Sequence, residues 1–140
     1  MWVLAGLPLA LTLLAIAAAC GGDDDDDSAE PTVPSGTPAS VRIEATDNLY
    51  DVQPAAGEAG RIEAPSNSEF EVTLVNAGAN PHDIDFYNEE GGSLLSDDAN
   101  GDILLEGGEE TFTFKTPGPG TYYFVCSVHP TEMFGDFVVE

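Results

Sequence analysis

Residues 120–137, GTYYFVCSVHPTEMFGDF, place a thiol at Cys126, an imidazole at His129 and a thioether at Met133 on one short segment. A thiolate and a thioether are soft donors and an imidazole suits copper as well, so this segment offers three of the ligands that a copper ion takes. A further candidate lies upstream. The run Asn76-Ala77-Gly78-Ala79-Asn80-Pro81-His82-Asp83 puts His82 on a turn, with Pro81 restricting the backbone before it. Two imidazoles, one thiolate and a weak axial thioether make up the donor set of a blue-copper electron-transfer site. The chain has no other histidine, no other methionine apart from Met1, and no other cysteine apart from Cys20, so every available soft donor falls in this set.

Each residue also has an ordinary reading. A lone histidine is more often structural than a ligand, Cys126 alone would pack as a small hydrophobe, and Met133 alone would fill a core. Zinc has little use for a thioether, although Asp83 or Glu132 would complete a zinc site. Nucleophilic catalysis by Cys126 and His129 is disfavoured, because both sit on the same short loop and no orienting acid is evident. A binuclear copper centre needs a second thiolate, and residues 127–132 contain none. Asp98, Asn100 and Asp102 alternate like the start of a calcium loop, but the following glycine and the closing glutamate are missing, which excludes an EF-hand. The reading is a non-enzymatic metal protein with one mononuclear copper, acting as a one-electron carrier. The alternative is a copper-binding or delivery protein that does not cycle between oxidation states.

A frame must hold the donors, and the patterns from Val41 onward are β. Residues 41–45, 69–75 and 111–115 alternate apolar and polar, turning Phe70, Val72, Leu74, Phe112 and Phe114 to one face. Residues 49–53, 61–64, 83–87 and 103–106 are weaker strand candidates, and the metal segment itself reads as strand, loop and strand. Gly- and Pro-rich turns at 56–60, 90–92 and 117–120 separate these runs. No run carries sustained helical periodicity. Seven or eight short strands in about 100 residues imply an all-β, Greek-key β-sandwich.

What precedes the frame reads as an address and a spacer. Residues 1–20 are apolar up to Cys20, as in an export signal, and Ala17-Ala18-Ala19-Cys20 is similar to the lipobox of bacterial lipoproteins, in which Cys20 carries the lipid. Ala17 stands where a larger aliphatic residue is usual, and no Lys or Arg precedes the apolar run. An uncleaved anchor and plain secretion are the alternatives; about 18 apolar residues are nearly enough to span a bilayer. All three place the domain outside the cytoplasm. Residues 21–40, with the pentad Asp23–Asp27 and the Pro- and Ser-containing run after it, read as a solvated tether. Cys20 at the end of the apolar run and Cys126 among the donors are not expected to pair. Residues 41–140 form the single folded domain.

The chain carries 26 Asp and Glu against 3 Lys and Arg, a formal net charge of −23. Such a field argues against nucleic acid and anionic lipid surfaces as partners and leaves a basic protein as the complementary class. Solubility in a salt-rich medium, where screening acts within about 10 Å, accounts for the same charge.

The segment Gly120-Thr121-Tyr122 with Phe124, Cys126, His129, Met133 and Gly135, together with Asn76, Gly78 and Pro81-His82, resembles the small blue copper proteins, the cupredoxins, and among them the plastocyanin, amicyanin and halocyanin group. The resemblance covers residues 41–140. It implies an eight-stranded Greek-key sandwich with the metal under one end. It further implies His82, Cys126 and His129 as equatorial ligands, Met133 as the long axial one, and Asn76 and the residue after His82 as supports. The family often has Asn at that last position; here Asp83 accepts hydrogen bonds but cannot donate them. The redox partner implied is a basic cytochrome or an oxidase that docks near His129, with Val128, Pro130 and Phe134 as an apolar patch.

Overall fold

In a computed structural model the described residues are 37–53 and 60–140. The apolar segment 1–20 with Cys20, and residues 21–36 of the tether, lie outside them. Eight strands run in order: β1 (Ser40–Thr46), β2 (Leu49–Gln53), β3 (Arg61–Ala64), β4 (Glu69–Asn76), β5 (Asp85–Tyr87), β6 (Glu109–Lys115), β7 (Gly120–Val125) and β8 (Phe134–Val139). They form two four-stranded sheets, one ordered β2-β1-β4-β6 and the other β3-β8-β7-β5. β1 pairs with β4, and β3 with β8, in parallel; the other pairings are antiparallel. The molecule is an all-β sandwich, and no helix among the described residues is long and apolar enough to cross a membrane.

Alternation explains the elements. In β4 the residues Phe70, Val72 and Leu74 are fully buried while their neighbours face outward. In β6, Phe114 is buried and Phe112 is half-buried against the same core. Phe86 sits at the centre of an aromatic cluster, with ring centroids 4.9 Å from both Phe114 and Phe137. Burying one such ring stabilises the fold by about 2–3 kcal/mol, and none of it depends on a metal.

Two glycines permit close approaches. A Cβ on Gly135 would stand 1.8 Å from the Gly60 carbonyl oxygen, where β3 docks beside β8. A Cβ on Gly78 would stand 2.7 Å from the Asp47 nitrogen, so glycine lets the β1–β2 turn pack against the turn that leads to His82. Asp47 takes a positive φ of 47° in that β1–β2 turn, a conformation that Asp tolerates better than most side chains.

Two of the weaker strand candidates are corrected. Residues 103–106 do not form a strand. Only Leu104 pairs, through reciprocal bonds with His82, because Ile103 and Leu105 on either side are exposed and give a ladder nothing to bury. β5 begins at Asp85 rather than Asp83, because the backbone at His82 and Ile84 is bonded to Leu104 and Gly101 instead of β7.

Candidate metal centre

The centre lies where the β4–β5 connection meets the β7–β8 loop. Asn76, fully buried at the end of β4, staples the first of these. Its amide donates to the carbonyls of Asn80 (2.7 Å) and Leu104 (2.9 Å), and its Oδ1 accepts from the Gly78 N–H at 3.0 Å. His82 is then held on both sides of its peptide: its N–H donates to Leu104 O at 3.0 Å, and its carbonyl accepts from Leu104 N–H at 2.7 Å. The turn is fixed by backbone bonds that do not involve the His82 imidazole.

The second loop closes on itself. Cys126 N–H donates to Met133 O at 2.8 Å, and Met133 N–H donates to His129 O at 3.0 Å. His129 N–H in turn donates to Cys126 O at 3.2 Å. Cys126 and Met133 are buried and His129 is half-buried, so of the three donor-bearing residues of this loop His129 is the one that reaches the surface.

These bonds bring one donor atom from each of His82, Cys126 and His129 within 4.8 Å of one another. Cys126 Sγ stands 3.9 Å from His82 Nδ1 and 3.7 Å from His129 Nδ1. Donors held about 2.1 and 2.3 Å from a common ion at roughly 120° would lie about 3.8 Å apart. The spacing therefore suits three ligands around one ion better than direct thiol–imidazole hydrogen bonds. The two rings lie with centroids 4.9 Å apart. Burial, and then the charge of His129, hold the His82 imidazole below its ordinary pKa. The neutral form, which alone offers a lone pair to a metal, is favoured. Cys126 carries a free, buried thiol.

Asp83 is buried at the join of the two loops. Its Oδ1 accepts from the Ser127 backbone N–H at 2.7 Å, and its Oδ2 accepts from the Ser127 hydroxyl. The carboxylate thus ties the residue after His82 to the residue after Cys126 by acceptance alone. The sequence reading did not single out Ser127 or Tyr50 for the site. Tyr50 donates its hydroxyl to the Asp83 carbonyl; the only sequence signal was its inward position in an alternating strand.

Asp85 lies two positions further along the same strand direction. Burial, and then the charge of Asp83, push its carboxyl up to about 6 from 3.8. The protonated form is therefore the one the fold prefers. The associated stability is fully present below about pH 4 and is lost as pH rises through about 6. Asp85→Asn is expected to stabilise the metal-free domain by about 1–2 kcal/mol at pH 7 and to leave it unchanged near pH 4. Urea unfolding at the two pH values checks this, and a loss of stability at pH 7 would contradict it.

Comparison with known proteins places this geometry. Residues 52–139 match the Cupredoxin-like domain family. Amicyanin-alpha of Methylorubrum extorquens is 36% identical over 69 residues, which are 49% of this chain and 53% of that protein. The match thus spans about half the length of that relative. The dithionite-reduced auracyanin of the photosynthetic bacterium Roseiflexus castenholzii superposes with a TM-score of 0.61 at 25% identity, covering 75% of this chain and 99% of its own. Rusticyanin of Thiobacillus ferrooxidans, at 21% identity and a TM-score of 0.57 over 76% of this chain and 79% of its own, shares the fold. A thiolate and two imidazoles converging beside a buried methionine are a type I copper donor set, and the cofactor is one copper ion. The chain belongs to the cupredoxin-like family.

Proposed function

We propose that the protein is an extracytoplasmic, membrane-tethered one-electron carrier in which His82, Cys126 and His129 hold the copper and Met133 is its axial ligand. The observation that carries this reading is the convergence of the three donor atoms within 4.8 Å at the end of a hydrogen-bonded sandwich. Bound there, copper supplies a reversible one-electron couple. The protein supplies rigidity. Leu104 clamps the His82 peptide, the Cys126–Met133 and Met133–His129 bonds close the second loop, and the Asp83–Ser127 bonds join the two. Donors held this way change little when the charge of the centre changes.

The half-buried His129 is the proposed edge for electron exchange. Around it Val128 is 38% and Phe134 50% exposed, an apolar surface beside the centre. A cleft of about 410 Å³ adjoins it, lined by Tyr87, Glu90, Tyr123, Ser127 and Pro130. With a net charge of −23, the complementary partner is a basic redox protein, a cytochrome or an oxidase. Cys20, outside the described residues, is the proposed lipid attachment point, and the acidic run that follows it is the spacer from the membrane.

The visible spectrum of the copper-loaded protein tests the centre. An intense thiolate-to-copper band that bleaches on one-electron reduction is expected, and Met133→Ala is expected to shift it. Colourless, readily exchanged copper would instead support copper delivery, and an unchanged spectrum in Met133→Ala would remove Met133 from the ligand set. Cys20→Ser is expected to release the protein from the membrane fraction of the producing cell; retention there would refute lipid attachment at this residue.

A further inference from the structure

Two acids are buried close together where the chain runs from the centre into β5: Asp83 is 3% exposed and Asp85 9%. Two positions apart on an extended chain put their side chains on one face, and the charge of Asp83 acts on Asp85. Their hydrogen bonding is unequal. Asp83 accepts from both the Ser127 N–H and its hydroxyl, whereas the one side-chain donor to Asp85 is the Tyr87 hydroxyl, at 3.2 Å. No ion pair among the described residues includes either acid. Neighbouring buried acids do not both ionise cheaply, so the charge goes to Asp83, which has the donors, and the proton to Asp85. Burial, and then the Asp83 charge, accordingly push the Asp85 carboxyl up to about 6. The other titratable groups coupled to it are Tyr87 of β5 and Tyr50 of β2, phenols that burial pushes up and keeps neutral. Val125 of β7 and Asn100 of the following loop lie opposite Asp85 and carry no charge, and Asp97, Asp98 and Asp102 of that loop are exposed. Tyr87 also lines the cleft of about 410 Å³ beside the centre, so its hydroxyl joins the Asp85 carboxyl to that cleft.

We propose that Asp85 is a proton-binding site linked to the metal centre, taking a proton from solvent when the protein accepts an electron from its redox partner and releasing it when that electron leaves. The inference rests on the reading of His82, Cys126 and His129 as copper ligands. A proton on Asp85 removes a negative charge from beside Asp83, which follows His82 in the chain and holds Ser127, the residue after Cys126. Less negative surroundings suit the reduced ion, which carries one positive charge fewer. Reduction and protonation therefore favour each other by the same factor, as linkage requires. A buried Asp85 that only fills space would leave the potential independent of its proton.

The test measures the reduction potential of the copper-loaded full chain against pH, in the parent and in Asp85→Asn. The parent's potential is expected to step down as pH rises through about 6. The step is expected to equal about a threefold change in the Cu(I) to Cu(II) ratio at fixed ambient potential, or about 28 mV at 59 mV per tenfold. Asp85→Asn is expected to lack that step, and a step of equal size in the variant overturns the proposal. Should Asp85→Asn fail to fold, Tyr87→Phe decides. It deletes the one side-chain donor to the ionised carboxylate, so the step is expected to move to higher pH, and an unmoved step overturns the proposal. The metal-free protein gives a readout without copper: the Asp85 carboxyl carbon, followed by NMR, is expected to titrate near 6. Titration in the ordinary carboxylate range, about 4, overturns the proposal. A parent without the intense thiolate-to-copper band overturns the copper reading and the inference with it, whereas a parent with the band and no step overturns the inference alone.

Discussion

Cys126→Ala is expected to abolish the visible absorption of the copper-loaded protein altogether and to weaken copper binding by more than a hundredfold. Supporting residues around a metal typically cost about 10–100-fold when changed, and Cys126 is the only thiol among the described residues that faces His82 and His129. The fold is expected to survive. The substitution removes one buried sulfur at the edge of the core, a loss of roughly 1–2 kcal/mol on the scale of small core truncations. The cluster of Phe70, Phe86, Phe114, Phe124 and Phe137, all buried, holds the sheets together without metal. Circular dichroism of the metal-free variant checks this. Loss of the β signal would show that the frame depends on the centre, contrary to the packing.

Asp83 carries the second large effect, and two substitutions separate its parts. Asp83→Ala leaves the Ser127 N–H and hydroxyl without their acceptor at the join of the loops. Ser127 itself is exposed, so water replaces part of what the carboxylate accepted, and a loss of about 1–2 kcal/mol is expected, measured by denaturant unfolding of the metal-free protein. Asp83→Asn retains an acceptor for the Ser127 N–H and is expected to cost less than about 1 kcal/mol. It also removes a negative charge from beside two ligand-bearing loops. Because that charge favours the oxidised ion, its removal is expected to raise the reduction potential, by an amount on the order of tens of millivolts. An unchanged or lower potential would mean that solvent or neighbouring groups already neutralise the carboxylate.

Much of this was legible in the chain because it is local. Period-2 alternation marked the cores of β1, β4 and β6, and Phe70, Val72, Leu74 and Phe114 are buried where that alternation put them. The shorter runs of β2 and β3 were legible through the turn residues around them. Residues 103–106 misled, since a pair of apolar side chains flanking Leu104 looks the same whether it faces a core or solvent; here Ile103 and Leu105 are 58% and 72% exposed. Tyr50 was invisible as a site residue for a similar reason. An inward tyrosine on an edge strand announces burial, but not which carbonyl its hydroxyl will meet.

Sequence alone determined the kinds of donor, because Cys126, His129 and Met133 fall on one loop whose ends are a strand apart, and that requires no knowledge of the fold. It also determined that the loop would be framed by β-structure in a strongly acidic chain. Only the tertiary structure decided that His82, 44 residues before Cys126, presents Nδ1 3.9 Å from its sulfur. That convergence comes from the stacking of two sheets, with Asn76 and Leu104 fixing one turn and Asp83 stapling it to Ser127. It also decided that Asp83, where the family often carries Asn, ties the loops together by accepting hydrogen bonds. No pattern along the chain encodes which side chain across a sandwich will offer the donor.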